Sequence, residues 1–276
     1  MSKADQLFIT MCKSILDEGE SSEGQTVRAK WEDGSPAHTI KKFGIVNRYD
    51  LQEEFPALTL RPTAIRSAVD ELLWIWQKKS NNTNQLNSRI WDQWADENGS
   101  IGKAYGYQLG VKYQFPHGEM DQVDNVLWQL SHTPYSRRIL TNIYKFDDIM
   151  EMGLEPCAYS MTFNVTGNRL NAILNQRSQD ILAANNWNVV QYAVLVHIFA
   201  QVSGLVPGEL IHVIADAHIY DRHVPIIKEL ITRPTFPAPR FHLNPEVINF
   251  YDFTVADMVI EDYQKNPQIT NIPIAV

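Results

Sequence analysis

The stretch NVVQYAVLVHIFAQVSG, residues 188–204, is apolar nearly all the way round a helical projection. A helix on the surface of a globule shows one apolar stripe, so a helix without a polar face has to be buried. Gly204 stands where it can terminate that helix. The rest of the chain must cover it. With 276 residues, 44% of them hydrophobic, the chain can bury a core of that size.

The covering elements are also legible. Residues 5–18 read as an amphipathic helix, and residues 19–37 as a polar loop that carries Arg28. In TAIRSAVDELLWIWQKK, residues Ile65, Val69, Leu72 and Trp76 recur at helical spacing and face a core. Glu71 interrupts that apolar run at a half-buried position, where a carboxylate needs a partner or a function. YSMTFNV alternates, with Tyr159, Met161, Phe163 and Val165 on one face, and TGN supplies a turn before RLNAILNQRS. The two segments predict a hairpin that brings Cys157 and Arg177 to the same end of adjacent antiparallel strands. ELIHVIADAHIY reads as a further strand, and Pro234, Pro237 and Pro239 break the chain before a last strand-like stretch. No repeat or long linker divides the sequence. It is expected to form a single α+β domain over residues 1–276, with a mixed or mostly antiparallel sheet.

Charge and cysteine usage narrow the function. A formal net charge of −8 argues against a partner held by nucleic-acid phosphates, so an anionic ligand must meet a local arginine cluster. No run of about eighteen apolar residues is present and the N-terminus is charged, which predicts a soluble, cytoplasmic protein with no membrane partner. Two cysteines, Cys12 and Cys157, are too few for a disulfide framework. Cys12 falls on the apolar face of the first helix and reads as core. His212, His218 and His223 are spaced by six and five residues, which matches no zinc pattern, and no metal is expected.

Cys157 is either a packed thiol or a nucleophile. Positive charge favours the second, because only the thiolate attacks and cations stabilise it. Arg28, Arg177 and the Arg137–Arg138 pair, with the Ser178 hydroxyl, could hold a phosphate through charge-assisted hydrogen bonds. His218 and Tyr220 would share a strand face. Trp91 and Trp94, three residues apart, read as helical core packing or as a stacking wall for a flat heterocycle.

Several motifs together are more specific. EPCAY, NQRSQD, NNWN, AQVSGLVPGELIH, DAHIYDRH, HLNP and PIAV, preceded by DELLWIW, IWDQWADENGSIGKAYG and SRR, stand in the order and at the separations of thymidylate synthases. The chain resembles that family over nearly its whole length. SPAHT, ELLWIW and FYDFT resemble the branch found in some Bacillus phages.

The resemblance implies a single α+β domain with a large mixed sheet flanked by helices, dimerising through the sheet. It implies reductive methylation of dUMP to dTMP, with 5,10-methylenetetrahydrofolate giving the one-carbon unit and the hydride, and no metal. By the same resemblance Cys157 is the nucleophile, assisted by Arg177, Glu71, Tyr105 and Asn188. The dUMP contacts would be Arg28, Gln176, Arg177, Ser178, Asp180, Asn188, His218 and Tyr220, joined by Arg137 and Arg138 of the neighbouring subunit. The folate would meet Arg61, Ile90, Trp91, Trp94, Asp180, Ala184, Trp187 and the chain end at Val276.

The sequence departs from the family pattern at Ala158, where histidine is usual, and at Ala215, where glycine is common. In DILAANNWN, residues Ala183, Ala184, Asn186 and Trp187 replace leucine, glycine, proline and phenylalanine. A methyl at the glycine position is expected to crowd the backbone that approaches the pterin. Two other readings are a deoxyuridylate hydroxymethylase of the same fold and a catalytically silent nucleotide-binding homologue. A cysteine hydrolase using His218 would leave the arginines and Asn188 without a role.

Overall fold

The computed structural model describes residues 2–275. In chain order the helices are α1 (Lys3–Glu18), α2 (Ile65–Trp76), α3 (Gly106–Gly110), α4 (Gln122–His132), α5 (Asn185–Val202) and α6 (Val224–Leu230). The strands are β1 (Glu20–Ser21), β2 (Thr39–Asp50), β3 (Tyr113–Phe115), β4 (Gly118–Met120), β5 (Leu140–Asn142), β6 (Ala158–Thr166), β7 (Arg169–Asp180), β8 (Val206–Tyr220), β9 (Arg240–Leu243) and β10 (Met258–Glu261).

Six strands form one sheet in the order β1-β2-β8-β7-β6-β5. Only β7 and β8 run parallel, which makes the sheet mixed as expected. Parallel neighbours need a long crossover, and α5 supplies it. This helix is the apolar segment of the sequence: Val189, Val190, Ala193, Val194, Leu195, Val196 and Phe199 are all fully buried. It packs on β7 and β8 on one side and on α2 on the other. Gly204, at φ +66°, turns the chain out of the helix in a conformation that a side chain would resist.

One continuous apolar cluster runs from Phe8 and Cys12 in α1 through the sheet and α5 to Phe250 and Phe253. The opposite sheet face is less covered. Ile173, Ile211 and Val213 are half-buried there, and Val46, paired with Val213, is 52% exposed.

The β6–β7 hairpin forms as expected, closed by Gly167 at φ +62°. Its register slips between Ala158 and Ser160. Met161, Phe163 and Val165 are therefore buried in step, while Ala158 takes the buried place next to the cysteine and Tyr159 is only half-buried. Trp91 and Trp94 do not lie on an α-helix. They bracket a single 3-10 turn, Asp92–Trp94, with the rings edge to face at 5.5 Å. Trp91 packs at similar distance on Trp74, so core contacts rather than helical spacing fix the pair.

Candidate active site

Cys157 sits immediately before β6, half-buried. Its carbonyl accepts the Arg177 backbone N–H at 2.9 Å, extending the ladder by one residue. The Arg177 guanidinium folds back onto the same turn, donating from Nε to the Pro156 carbonyl at 3.0 Å and from Nη2 to the Glu155 carbonyl at 2.8 Å. The Cys157 N–H donates to the Tyr105 hydroxyl at 3.1 Å. Burial pushes the thiol pKa up, while Arg177, the Tyr105 hydroxyl and Arg28 pull the other way. Cys12 has no such neighbours, and burial alone drives its thiol far above the usual range.

Arg28 is exposed on a pinned loop, from which its charge acts on the thiol. Trp31 Nε1 donates to Asp221 at 3.0 Å, and the Arg222 guanidinium lies 4.9 Å over the Trp31 ring. Tyr105 is held at φ +46°, a costly backbone conformation for a large side chain, at the head of α3. Burial, then Cys157, Tyr192 and Glu71, raise its pKa well above normal, so it stays a neutral phenol.

Asn188 is oriented by three glutamines. Its Oδ1 accepts from Gln176 at 3.2 Å and from Gln179 at 3.3 Å, and its Nδ2 donates to Gln191 at 3.1 Å. His212 lies behind Gln176, 2.7 Å from its Oε1. Burial depresses the His212 pKa to about 3, so the ring is neutral and Nε2–H is the donor to that oxygen. Gln176 itself is only 3% exposed, which puts it behind Asn188 rather than at the surface of the site.

Glu71, on α2, is 5% exposed. Burial raises its pKa to about 7, and the Trp187 indole N–H opposes that shift by donating to Oε2 at 2.8 Å. Trp91 packs against Tyr105 at 4.8 Å, and its own Nε1–H is buried without an acceptor.

At the end of β8, His218 Nδ1 lies 2.8 Å from Asp216, and its ring meets Tyr220 edge to face at 5.1 Å. Burial, then Asp180, pushes the Tyr220 phenol up to about 12. Asp180 accepts the N–H groups of Leu182 and Ala183, each at 3.0 Å. Burial pushes its carboxyl up, but His223 and those donors outweigh burial and hold it below the usual range. His223 in turn points Nε2 at the Pro273 carbonyl, 2.7 Å away, which fastens the C-terminal segment next to Asp180.

Two surface hollows, one lined by Thr63, Val69 and Tyr263 and the other by His197, Phe241 and His242, contain none of these residues. Among the described residues no group of three or more His, Cys, Asp or Glu could hold a metal ion. No helix among them is long and apolar enough to cross a membrane.

A family model described as thymidylate synthase matches residues 6–276. The chain belongs to the thymidylate synthase family. It is 43% identical to the thymidylate synthase of Bacillus licheniformis over 98% of both chains. It is 42% identical, with the same coverage, to thymidylate synthase 1 of Bacillus subtilis strain 168 and to the thymidylate synthase of Bacillus phage phi3T. The fold is similar to the solved structure of thermostable thymidylate synthase A from Bacillus subtilis, with a TM-score of 0.94, 40% identity and 99% coverage of each chain.

The remaining expected residues lie around this centre, at its edges or outside the described residues. Ser178 stands on β7 opposite Asp216, and Ala184 begins α5 at φ −117°, a conformation any residue adopts. The alanine methyl therefore costs nothing in backbone strain. Arg61 donates to the Leu182 carbonyl, beside the Asp180 turn. Ile90 and Trp94 lie on the segment around the 3-10 turn, Ile90 42% exposed and Trp94 half-buried. Arg137 and Arg138 are exposed on the turn before β5, and neither forms an ion pair among the described residues. Val276 lies outside the described residues.

Sequence reasoning missed five supporting side chains. Gln179, Gln191 and His212 orient Asn188, His223 holds the tail segment, and Asn186 accepts the Leu58 N–H at 3.0 Å while donating to the Pro56 carbonyl at 2.9 Å. Buried polar residues inside apolar segments were the available signal, since each needs a partner.

Proposed function

We propose that this chain converts dUMP to dTMP, and that Cys157 carries the reaction. C5 of uracil is a poor nucleophile. Addition of the Cys157 thiolate to C6 moves the ring's electron pair onto C5 and O4 and makes C5 reactive. Once C5 carries the one-carbon unit, loss of its proton releases the folate amine, and the hydride then delivered to that carbon returns an electron pair to the ring that breaks the C6–S bond and regenerates the cysteine. The co-substrate 5,10-methylenetetrahydrofolate supplies the one-carbon unit and the hydride.

The other residues have roles that follow from their chemistry. Arg28, Arg177 and Ser178 bind the phosphate, which requires the Arg177 guanidinium to share its donors between that anion and the 155–156 turn. Asn188 offers both an acceptor and a donor to the N3–O4 edge of uracil, with Gln176 holding it from behind. His218 and Tyr220 bind the ribose hydroxyl. Glu71, with a proton affinity near neutrality, exchanges a proton with O4, and Tyr105 assists removal of the C5 proton. On the folate side, the orphaned N–H of Trp91 and the carboxylate of Asp180 suit a heterocycle with polar edges, and Trp94, Ile90, Ala184, Trp187 and Arg61 surround it. Val276 is expected to end a tail that closes over both ligands.

A second copy of the chain completes the site. The open sheet face carrying Val46, Val213, Ile211 and Ile173 is suited to a partner sheet, and Arg137 and Arg138 of that copy would add two cations to the phosphate site.

The observation that carries this reading is a half-buried thiol whose turn is held by Tyr105 and by the Arg177 guanidinium, with the charges of Arg177 and Arg28 both favouring the thiolate. Mass spectrometry of the nucleotide product tests it. Incubation with dUMP and methylenetetrahydrofolate should yield dTMP. A product one oxygen heavier would identify a hydroxymethylase, and binding without turnover a silent homologue.

A further inference from the structure

Glu71 and Trp187 come from α2 and α5, 116 positions apart in the chain. A carboxyl group buried to this degree loses its hydration, and its charged form survives only where donors replace the water. Among the described residues no lysine, arginine or histidine forms an ion pair with Glu71. Trp187 gives the closest side-chain donor, its indole N–H at 2.8 Å, while Gln191 and Trp91 stand farther off and act in the same direction. Trp91, the other indole of this region, leaves its N–H without an acceptor. The remaining titratable groups facing Glu71 are Asp70 on its own helix, whose charge disfavours ionisation, and Tyr105 and Tyr192, both kept neutral by burial.

Trp187 is only half-buried, but the ring is tethered at its polar edge, which limits how freely it can serve as a stacking surface. We propose that Trp187 is a positioning residue: its indole N–H fixes the Glu71 carboxyl in one orientation and favours the ionised form. The inference rests on the dUMP-methylating reading for its significance, because there Glu71 must both accept and return a proton. A phenylalanine at 187 would keep the aromatic packing and lose the donor.

A donor to the charged form lowers the proton affinity, so its removal raises it. A hydrogen bond to a charged group corresponds to about one pH unit. Starting from a midpoint near 7, the ionised fraction of Glu71 at neutral pH should fall from about half to about a tenth.

The test is an infrared titration of the carboxyl C=O band in the full-length protein without ligands, with Glu71→Gln as the blank. Trp187→Phe should move the Glu71 midpoint up by about one pH unit. A benzothienyl-alanine at 187, the same shape with sulfur in place of N–H, should give the same shift should the phenylalanine variant not fold. A midpoint unchanged or lowered in the variant that folds would overturn the proposal. With dUMP and folate, the acid limb of kcat should move in parallel while KM for dUMP stays within about twofold. A loss of kcat without movement of the limb would also overturn it, because packing alone then explains Trp187. The infrared measurement needs no turnover, so failure to form dTMP would sink the functional reading and leave this result standing.

Discussion

Arg177 grips the turn of Cys157 at three points: its backbone N–H meets the Cys157 carbonyl at 2.9 Å, and its guanidinium meets the carbonyls of Pro156 and Glu155 at 3.0 and 2.8 Å. The register that pairs β6 with β7 therefore also sets a fixed cation beside the thiol. Placing the thiol and its neighbouring cation is one structural event.

Replacement of Cys157 by serine should lower kcat by at least about a thousandfold, because an alkoxide is not accessible at neutral pH and the hydroxyl is a weak nucleophile. Equilibrium dialysis with dUMP should show affinity within a few-fold of the parent, since the arginines remain. Full turnover in this variant would remove Cys157 from the chemistry.

Asn188→Asp should move the preference from dUMP toward dCMP by about tenfold or more, as a protonated carboxyl can satisfy the cytosine edge. Competition kinetics with the two nucleotides reads this directly. Unchanged discrimination would mean that the base is read elsewhere.

Glu71→Gln separates stability from function. The Glu71 carboxyl has its folded pKa raised from 4.5 to about 7, so the folded state binds more protons and stability falls as pH rises across that window. The neutral amide should stabilise the protein above pH 7 by about 3 kcal/mol while costing turnover about a hundredfold. Urea unfolding at pH 5 and pH 8 checks the first part: the gain should be small at the lower pH and full at the higher.

His212 works in the opposite direction. Its folded pKa lies near 3, below the ordinary 6.5, so the unfolded chain takes up the proton first and stability is lost as pH falls below about 6.5. His212→Gln removes that liability and leaves a donor for Gln176. The stability advantage of the parent at pH 7 should shrink by about 1 kcal/mol per pH unit on acidification. A constant gap between pH 7 and pH 5 would contradict the neutral-histidine assignment.

Local signals made the scaffold legible. The apolar run of α5, the alternation of β6 and the turn at Gly167 each leave a mark within a few residues, and together they placed Cys157 beside Arg177. The bulge at Ala158 has no such mark, because one extra residue changes which face is buried without changing the composition. Trp91 and Trp94 have helical spacing but sit on a 3-10 turn, where contacts with Trp74 and Tyr105 outweigh local preference. The bond from Trp187 to Glu71 and the hold of His223 on Pro273 join distant segments, and no local pattern announces them. For Arg137 and Arg138 the limit is different. Their proposed place is in the site of a second copy of the chain, which one folded chain does not display.

The most direct test of a nucleophilic Cys157 is mass spectrometry of the intact protein mixed with 5-fluoro-dUMP and methylenetetrahydrofolate, followed by peptide mapping. Fluorine cannot leave C5 as a cation, so the reaction should stall with nucleotide and folate both covalently attached, and the added mass should map to the peptide containing Cys157. An unmodified protein under conditions where dUMP binds, or an adduct on any other residue, would contradict the account.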